Sequence, residues 1–83
     1  MTVEILGTGC AKCNKLTENA RAAVEKLGLE GCSIVKIQDF NEMAKRGVLI
    51  TPALLVDGEV KVIGKAASVE EIAGFLKAVA TTG

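Results

Sequence analysis

The order of local signals in this sequence predicts an α/β fold: one mixed four-stranded sheet with helices on both faces. Three observations carry that prediction. Apolar residues recur with a period of two in some stretches and near 3.6 in others, in the order β-α-β-α-β-β-α. A single helical stretch separates the first two strands, as in a right-handed crossover that lays them side by side in parallel. Asp57-Gly58 lies between two short apolar runs, so it reads as a tight hairpin turn joining an antiparallel pair. The hairpin needs the free side of the first strand, which gives an expected strand order of 2-1-3-4.

Thr2 to Leu6 is β-rich and runs into Gly7-Thr8-Gly9, so it reads as a strand ending in a flexible turn. From Cys10 the pattern becomes helical. Cys13, Leu16, Ala20, Val24 and Leu27 recur at three- and four-residue steps, with Lys12, Lys15, Glu18, Arg21 and Glu25 on other faces. Gly28 stands where a glycine ends a helix. Cys32 to Ile37 is the second strand, followed by a short helix around Asn41 to Lys45 that stops at Gly47. Ala53 to Val56 is the third strand, and Asp57-Gly58 turns it into Val60-Lys61-Val62. Ser68-Val69-Glu70-Glu71 is a capping box, in which hydroxyl and carboxylate each satisfy a backbone N–H of the other residue. It opens a last helix with Ile72, Phe75, Leu76 and Val79 facing inward.

A chain of 83 residues is expected to form one domain over residues 1–83, because too little remains for a second hydrophobic core. Nearly half of it, 49%, is apolar, which suffices for a core without disulfide staples. Phe40 and Phe75 are the only aromatics, so no platform exists for stacking bases. Ten basic and ten acidic residues cancel, and neither sign forms a block, which argues against a nucleic-acid partner. Met1 to Leu6 has neither the basic nor the apolar region of a signal peptide. The longest apolar stretch, Val48 to Val56, is interrupted by Thr51-Pro52 and is too short to span a bilayer. The expected location is cytoplasmic, with no membrane partner. Three cysteines in a small cytosolic chain point away from a structural disulfide scaffold and towards redox chemistry or metal.

Cys10-Ala11-Lys12-Cys13 puts two thiols on the first turn of a helix, within disulfide reach of each other. The spacing also makes them unequal. Cys10 lies at the helix N-terminus, where unpaired backbone N–H groups and the helix dipole favour a thiolate. Cys13 lies one turn in, on the apolar stripe, and is expected to be buried and protonated. An acidified, exposed sulfur with a shielded partner suits disulfide exchange: one attacks, the other resolves the mixed intermediate. Gly7 and Gly9 are expected to leave the approach to Cys10 unobstructed. Without context such a pair fits redox and metal chemistry equally well. A closed zinc site wants four ligands, however, and this chain has no histidine and one further cysteine, Cys32.

Pro52, the only proline, opens the third strand, a position where proline serves as punctuation. Gly7-Thr8-Gly9-Cys10-Ala11-Lys12-Cys13, Thr51-Pro52-Ala53-Leu54 and Val56-Asp57-Gly58, together with a C-terminal helix, resemble the thioredoxin fold. More closely, the chain resembles the small thioredoxin/glutaredoxin-like redox-active disulfide proteins of the thioredoxin superfamily, over essentially its whole length. That resemblance implies a thiol–disulfide oxidoreductase with no cofactor. It implies a disulfide-containing protein substrate and a disulfide reductase as electron donor. It also implies that Pro52 follows a cis peptide bond beside the two sulfurs, with the backbone of Thr51 pairing with substrate. Within the resemblance, Gly9 replaces the usual tryptophan, and Ala11-Lys12 the usual Gly-Pro.

Two further residues read as structural. Glu4 matches the buried acid of thioredoxins, but its alternation with Val3 and Ile5 reads as a solvated strand face. Cys32 has no spaced partner and reads as a small buried hydrophobe. The competing function is a copper(I) carrier, since strand–Gly–x–Cys–x–x–Cys–helix also resembles the heavy-metal-associated domain. That domain ends on a strand and has no use for Thr51-Pro52, whereas this chain ends on an amphipathic helix.

Overall fold

β1 (Thr2–Leu6) is the strand around which the remaining elements are arranged in the computed structural model, which describes residues 1–82. The chain continues through α1 (Ala11–Leu27), β2 (Ser33–Ile37), α2 (Phe40–Lys45), β3 (Ala53–Val56), β4 (Glu59–Ile63) and α3 (Val69–Thr82). The sheet order is β2-β1-β3-β4. β1 pairs in parallel with β2, from Thr2 opposite Ser33 to Leu6 opposite Ile37, and antiparallel with β3. β3 pairs antiparallel with β4, with one shift of register between Leu54 and Leu55. This is the α/β architecture and strand order that the sequence predicts.

Local chemistry explains where the elements stop and turn. The amides of Gly28 and Leu29 donate back to Glu25 and Val24 at 3.1 and 3.3 Å, closing the end of α1 on its last carbonyls. Asp57 and Gly58 both have positive φ, 50° and 84°, as a two-residue turn between twisted strands requires. The turn is tied to β1, since the Thr2 amide donates to Asp57 Oδ1 at 2.8 Å and the Asp57 amide donates to the Thr2 carbonyl at 2.8 Å. At the start of α3 the Glu71 amide donates to Ser68 Oγ at 3.2 Å, and Glu71 reaches back to the Ser68 amide. Asp39 caps α2 by accepting from the Asn41 amide at 2.8 Å.

The period of two in the central strands divides the core between the two sheet faces. Val3 and Ile5 of β1, Leu54 and Val56 of β3 and Val62 of β4 pack against α1 and α3 through Leu16, Ala20, Ala23, Ile72, Ala73 and Leu76. The opposite face is smaller, with Leu6, Ile37, Ala53 and Leu55 packing against Met43 of α2 and Val48. Asn19 of α1 reaches the Ala67 carbonyl at 2.9 Å, which fixes the loop entering α3 against α1. Phe75 and Val79 lean on the larger core without being fully enclosed.

Glu4 departs from its expected place on a solvated face. Its side chain is only 13% exposed, and Arg46, just past α2, clasps it with Nη2 at 2.7 Å and Nε at 2.9 Å. Arg46 also holds Glu42 of α2 at 2.9 Å. The alternation rule placed Glu4 on the correct side of the sheet, but that side is covered by α2. Among the described residues, no helix is long and apolar enough to cross a membrane.

Candidate redox site

The site forms where β1 ends and α1 begins. Gly7 extends the β1–β2 ladder by one residue, its amide donating to the Ile37 carbonyl at 3.0 Å. Gly9 then takes φ +90°, a conformation that costs glycine little, and delivers Cys10 as the residue capping α1. Cys10 has extended backbone angles, φ −69° and ψ 169°, and its carbonyl accepts the first helical bond from the Asn14 amide at 3.0 Å. Its sulfur is exposed, whereas Cys13, one turn on, is 2% exposed. The two sulfurs stand 2.9 Å apart as a free dithiol joined by an S–H···S hydrogen bond.

The two thiols have opposite acidities. Cys10 is held below the ordinary thiol value, first by the hydrogen bond from the Cys13 thiol and then by the backbone N–H of Cys13, with a further backbone contribution from Lys12. The Cys10 sulfur closes no full capping hydrogen bond, so these amides act on it as open donors of the first turn. Burial pushes Cys13 up, and its hydrogen bond to Cys10 pushes it further the same way. The first turn of α1 carries no acidic residue, whereas α2 and α3 each place glutamate there. No carboxylate at this helix start therefore competes with a thiolate for the positive end of the dipole.

Pro52 is buried at the entrance to β3, and the Thr51–Pro52 peptide bond is cis. The Pro52 carbonyl accepts from the Gly64 amide at 2.7 Å, which joins the entrance of β3 to the end of β4. Gly7 is the common neighbour of the two halves of the site. A Cβ built on it would overlap the Cys13 sulfur and stand 4.0 Å from Pro52 Cα. The glycine was expected to clear the approach to Cys10. It instead makes room for Cys13, a contact between residues of different elements that spacing alone does not reveal.

Leu49 and Ile50, immediately before Thr51, are 88% and 62% exposed. They belong to one apolar run of the sequence, yet of the three residues Val48 to Ile50 only Val48 enters the core. Cys32 is half-buried beside the larger core and carries a thiol pushed up chiefly by that burial. It lies just before Ser33, opposite Thr2 in the parallel register, whereas the dithiol follows the far end of β1. Among the described residues there is no group of three or more histidine, cysteine, aspartate or glutamate side chains placed to hold a metal ion.

A mixed sheet with an acidified CxxC thiol at a helix start, a buried partner thiol and a cis-proline that both neighbour Gly7 defines a thiol–disulfide oxidoreductase of thioredoxin-like fold. Comparison with known proteins agrees. Residues 1–77 match the family described as Thioredoxin domain. A thioredoxin of Methanothermobacter thermautotrophicus is 43% identical over 76 residues, covering 92% of this chain and 97% of that protein. A thioredoxin of Methanocaldococcus jannaschii is 46% identical over 77 residues, covering 93% and 87% respectively. The chain belongs to the thioredoxin family.

Proposed function

We propose that the chain reduces disulfides in protein substrates in the cytoplasm, acting as one domain over residues 1–83, with Cys10 attacking and Cys13 resolving. The Cys10 thiolate attacks one sulfur of the substrate disulfide. The substrate S–S bond breaks, a Cys10–substrate mixed disulfide forms, and the other substrate sulfur leaves and takes up a proton. Cys13 then gives up its proton and attacks the Cys10 sulfur, which releases the second substrate thiol and leaves a Cys10–Cys13 disulfide. Two electrons and two protons pass to the substrate. A disulfide reductase returns them to the pair, and no cofactor resides in the chain.

The observation that carries this reading is the 2.9 Å separation between an exposed, acidified sulfur and a buried, de-acidified one. Attack needs the first and resolution needs the second close by. Thr51 and Pro52 form the substrate-binding edge in this reading, with the Thr51 backbone pairing with the substrate chain. Leu49 and Ile50 add apolar surface to that edge.

Trapping tests the assignment. Cys13→Ser leaves the attack intact but removes the resolving thiol, so covalent complexes through Cys10 should accumulate with disulfide substrates. Cys10→Ser should form none. Trapping by Cys10→Ser alone would reverse the two roles. One-to-one copper(I) binding by the reduced chain that suppresses exchange would replace this reading with a metal carrier.

A further inference from the structure

We propose that Gly7 is a positioning residue for the redox pair: the side-chain space it leaves empty is occupied by the Cys13 thiol, which holds that thiol within hydrogen-bonding reach of Cys10. The inference rests on the assignment of Cys10 and Cys13 as the reacting pair, and it concerns how the protein keeps them together.

A position can require glycine through its backbone or through lack of space. Gly9, Gly28, Gly31, Gly47, Gly58 and Gly64 all have positive φ, so their backbones favour glycine whatever surrounds them. Gly7 does not share this property, and its amide makes an ordinary strand bond to Ile37. Its φ does not call for glycine. What excludes a side chain is space, because a Cβ there would overlap Cys13 Sγ and stand 3.0 Å from Cys13 Cβ. Gly74, which likewise lacks positive φ, has nothing within 4 Å of its Cβ position. Of these two glycines with unremarkable backbones, one is filled by a reacting sulfur and the other faces open space.

A methyl group at Gly7 leaves Cys13 few ways to respond. Its side chain has one rotatable bond before the sulfur and is enclosed, so yielding means swinging the sulfur away from its present position. That position is the one from which the thiol meets Cys10 at 2.9 Å. The hydrogen bond that most strongly favours the Cys10 thiolate therefore depends on a glycine that carries no reacting group. Pro52 Cα also lies 4.0 Å from the same Cβ position.

The test is the pH profile of Cys10 alkylation by iodoacetamide in the full chain, with modification at each cysteine read by peptide mass. Gly7→Ala should move the Cys10 midpoint upward, lowering the rate on the acid side by about threefold or more. In the Cys13→Ala background, where the displaced sulfur is gone, adding Gly7→Ala should leave the midpoint where Cys13→Ala alone puts it. Gly74→Ala should not move it in either background. An unchanged midpoint in Gly7→Ala, or an equal shift with and without the Cys13 thiol, would overturn the proposal. If Gly7→Ala does not fold, recovery of folding by Cys13→Ala supports the proposal, and failure in both backgrounds overturns it. Alkylation needs no substrate, so these outcomes are independent of the trapping experiment that tests the exchange reaction.

Discussion

The two ends of β1 carry the same chemical group in different surroundings. At the end of the strand, Cys10 and Cys13 share a hydrogen bond at the start of a long helix. At its beginning, Cys32 lies beside the Thr2–Ser33 pair with its thiol against the larger core. The terminal amino group pulls the Cys32 pKa down, but burial dominates and Asp57 opposes as well, so this thiol is less acidic than usual. The comparison teaches that surroundings set a thiol's acidity: burial holds Cys32 protonated, and hydrogen-bond donors favour the Cys10 thiolate. Cys10 has two aids that Cys32 lacks: a donor thiol and the open amides of a helix start.

The largest expected difference between the two ends is in turnover. Cys10→Ser should reduce disulfide exchange to the uncatalysed level, measured with insulin or another protein disulfide as substrate. Comparable exchange in Cys10→Ser and the unsubstituted chain would erase the contrast.

A smaller but more informative difference lies in pH dependence. Iodoacetamide reacts with the thiolate, so each alkylation rate falls tenfold per pH unit below that thiol's pKa. Cys10, with its pKa lowered, should level off at lower pH than Cys32, whose pKa is raised. The ratio of Cys10 to Cys32 labelling should thus be greatest near neutral pH and shrink as the pH rises. A ratio that grows with pH would mean that the two environments have been assigned the wrong way round. The stability contributions have opposite signs too. The Cys10 contribution appears as pH rises through its lowered folded pKa and is complete above the unfolded value. The Cys32 contribution is complete below the unfolded value and lost as pH rises towards its raised folded pKa.

The smallest effect belongs to Cys32 itself. Cys32→Ser exchanges a half-buried sulfur for a hydroxyl without emptying the core, so it should cost about 0.5–1.5 kcal/mol in denaturant unfolding. Exchange activity should be unchanged. Loss of exchange in a folded Cys32→Ser chain would place the third thiol in the reaction and collapse the distinction between the ends.

Most of the architecture was legible because each element announces itself over a few neighbouring residues. The Leu16-to-Ala20 step, the Ser68–Glu71 box and the Asp57-Gly58 turn are local patterns with local physical causes. The pairing of Cys10 with Cys13 was legible for the same reason, since one helical turn brings them together. What escaped depends on contacts between distant segments. Glu4 meets Arg46 across 42 positions of chain, and no pattern around either residue announces the other. Gly7 reads as part of a turn until α1 is folded back over it, when its missing side chain becomes the seat of the Cys13 sulfur. The exposure of Leu49 and Ile50 is likewise not legible, because hydropathy does not say which way a loop faces.

The central place of β3 has a consequence for measuring the redox pair. The strand is buried along its whole length and paired on both edges, so its amide hydrogens should exchange with solvent only when the entire chain opens. Folding and reduction form a closed thermodynamic cycle. Any difference in stability between the dithiol and disulfide forms must equal the difference in reduction potential between the folded pair and the same cysteines in the unfolded chain. A tenfold slower exchange of the β3 amides in the reduced protein would report a folded pair about 30 mV more oxidising than its unfolded counterpart, or about 1.4 kcal/mol. A strand with no cysteine in it thereby becomes a gauge of the chemistry at the neighbouring helix start.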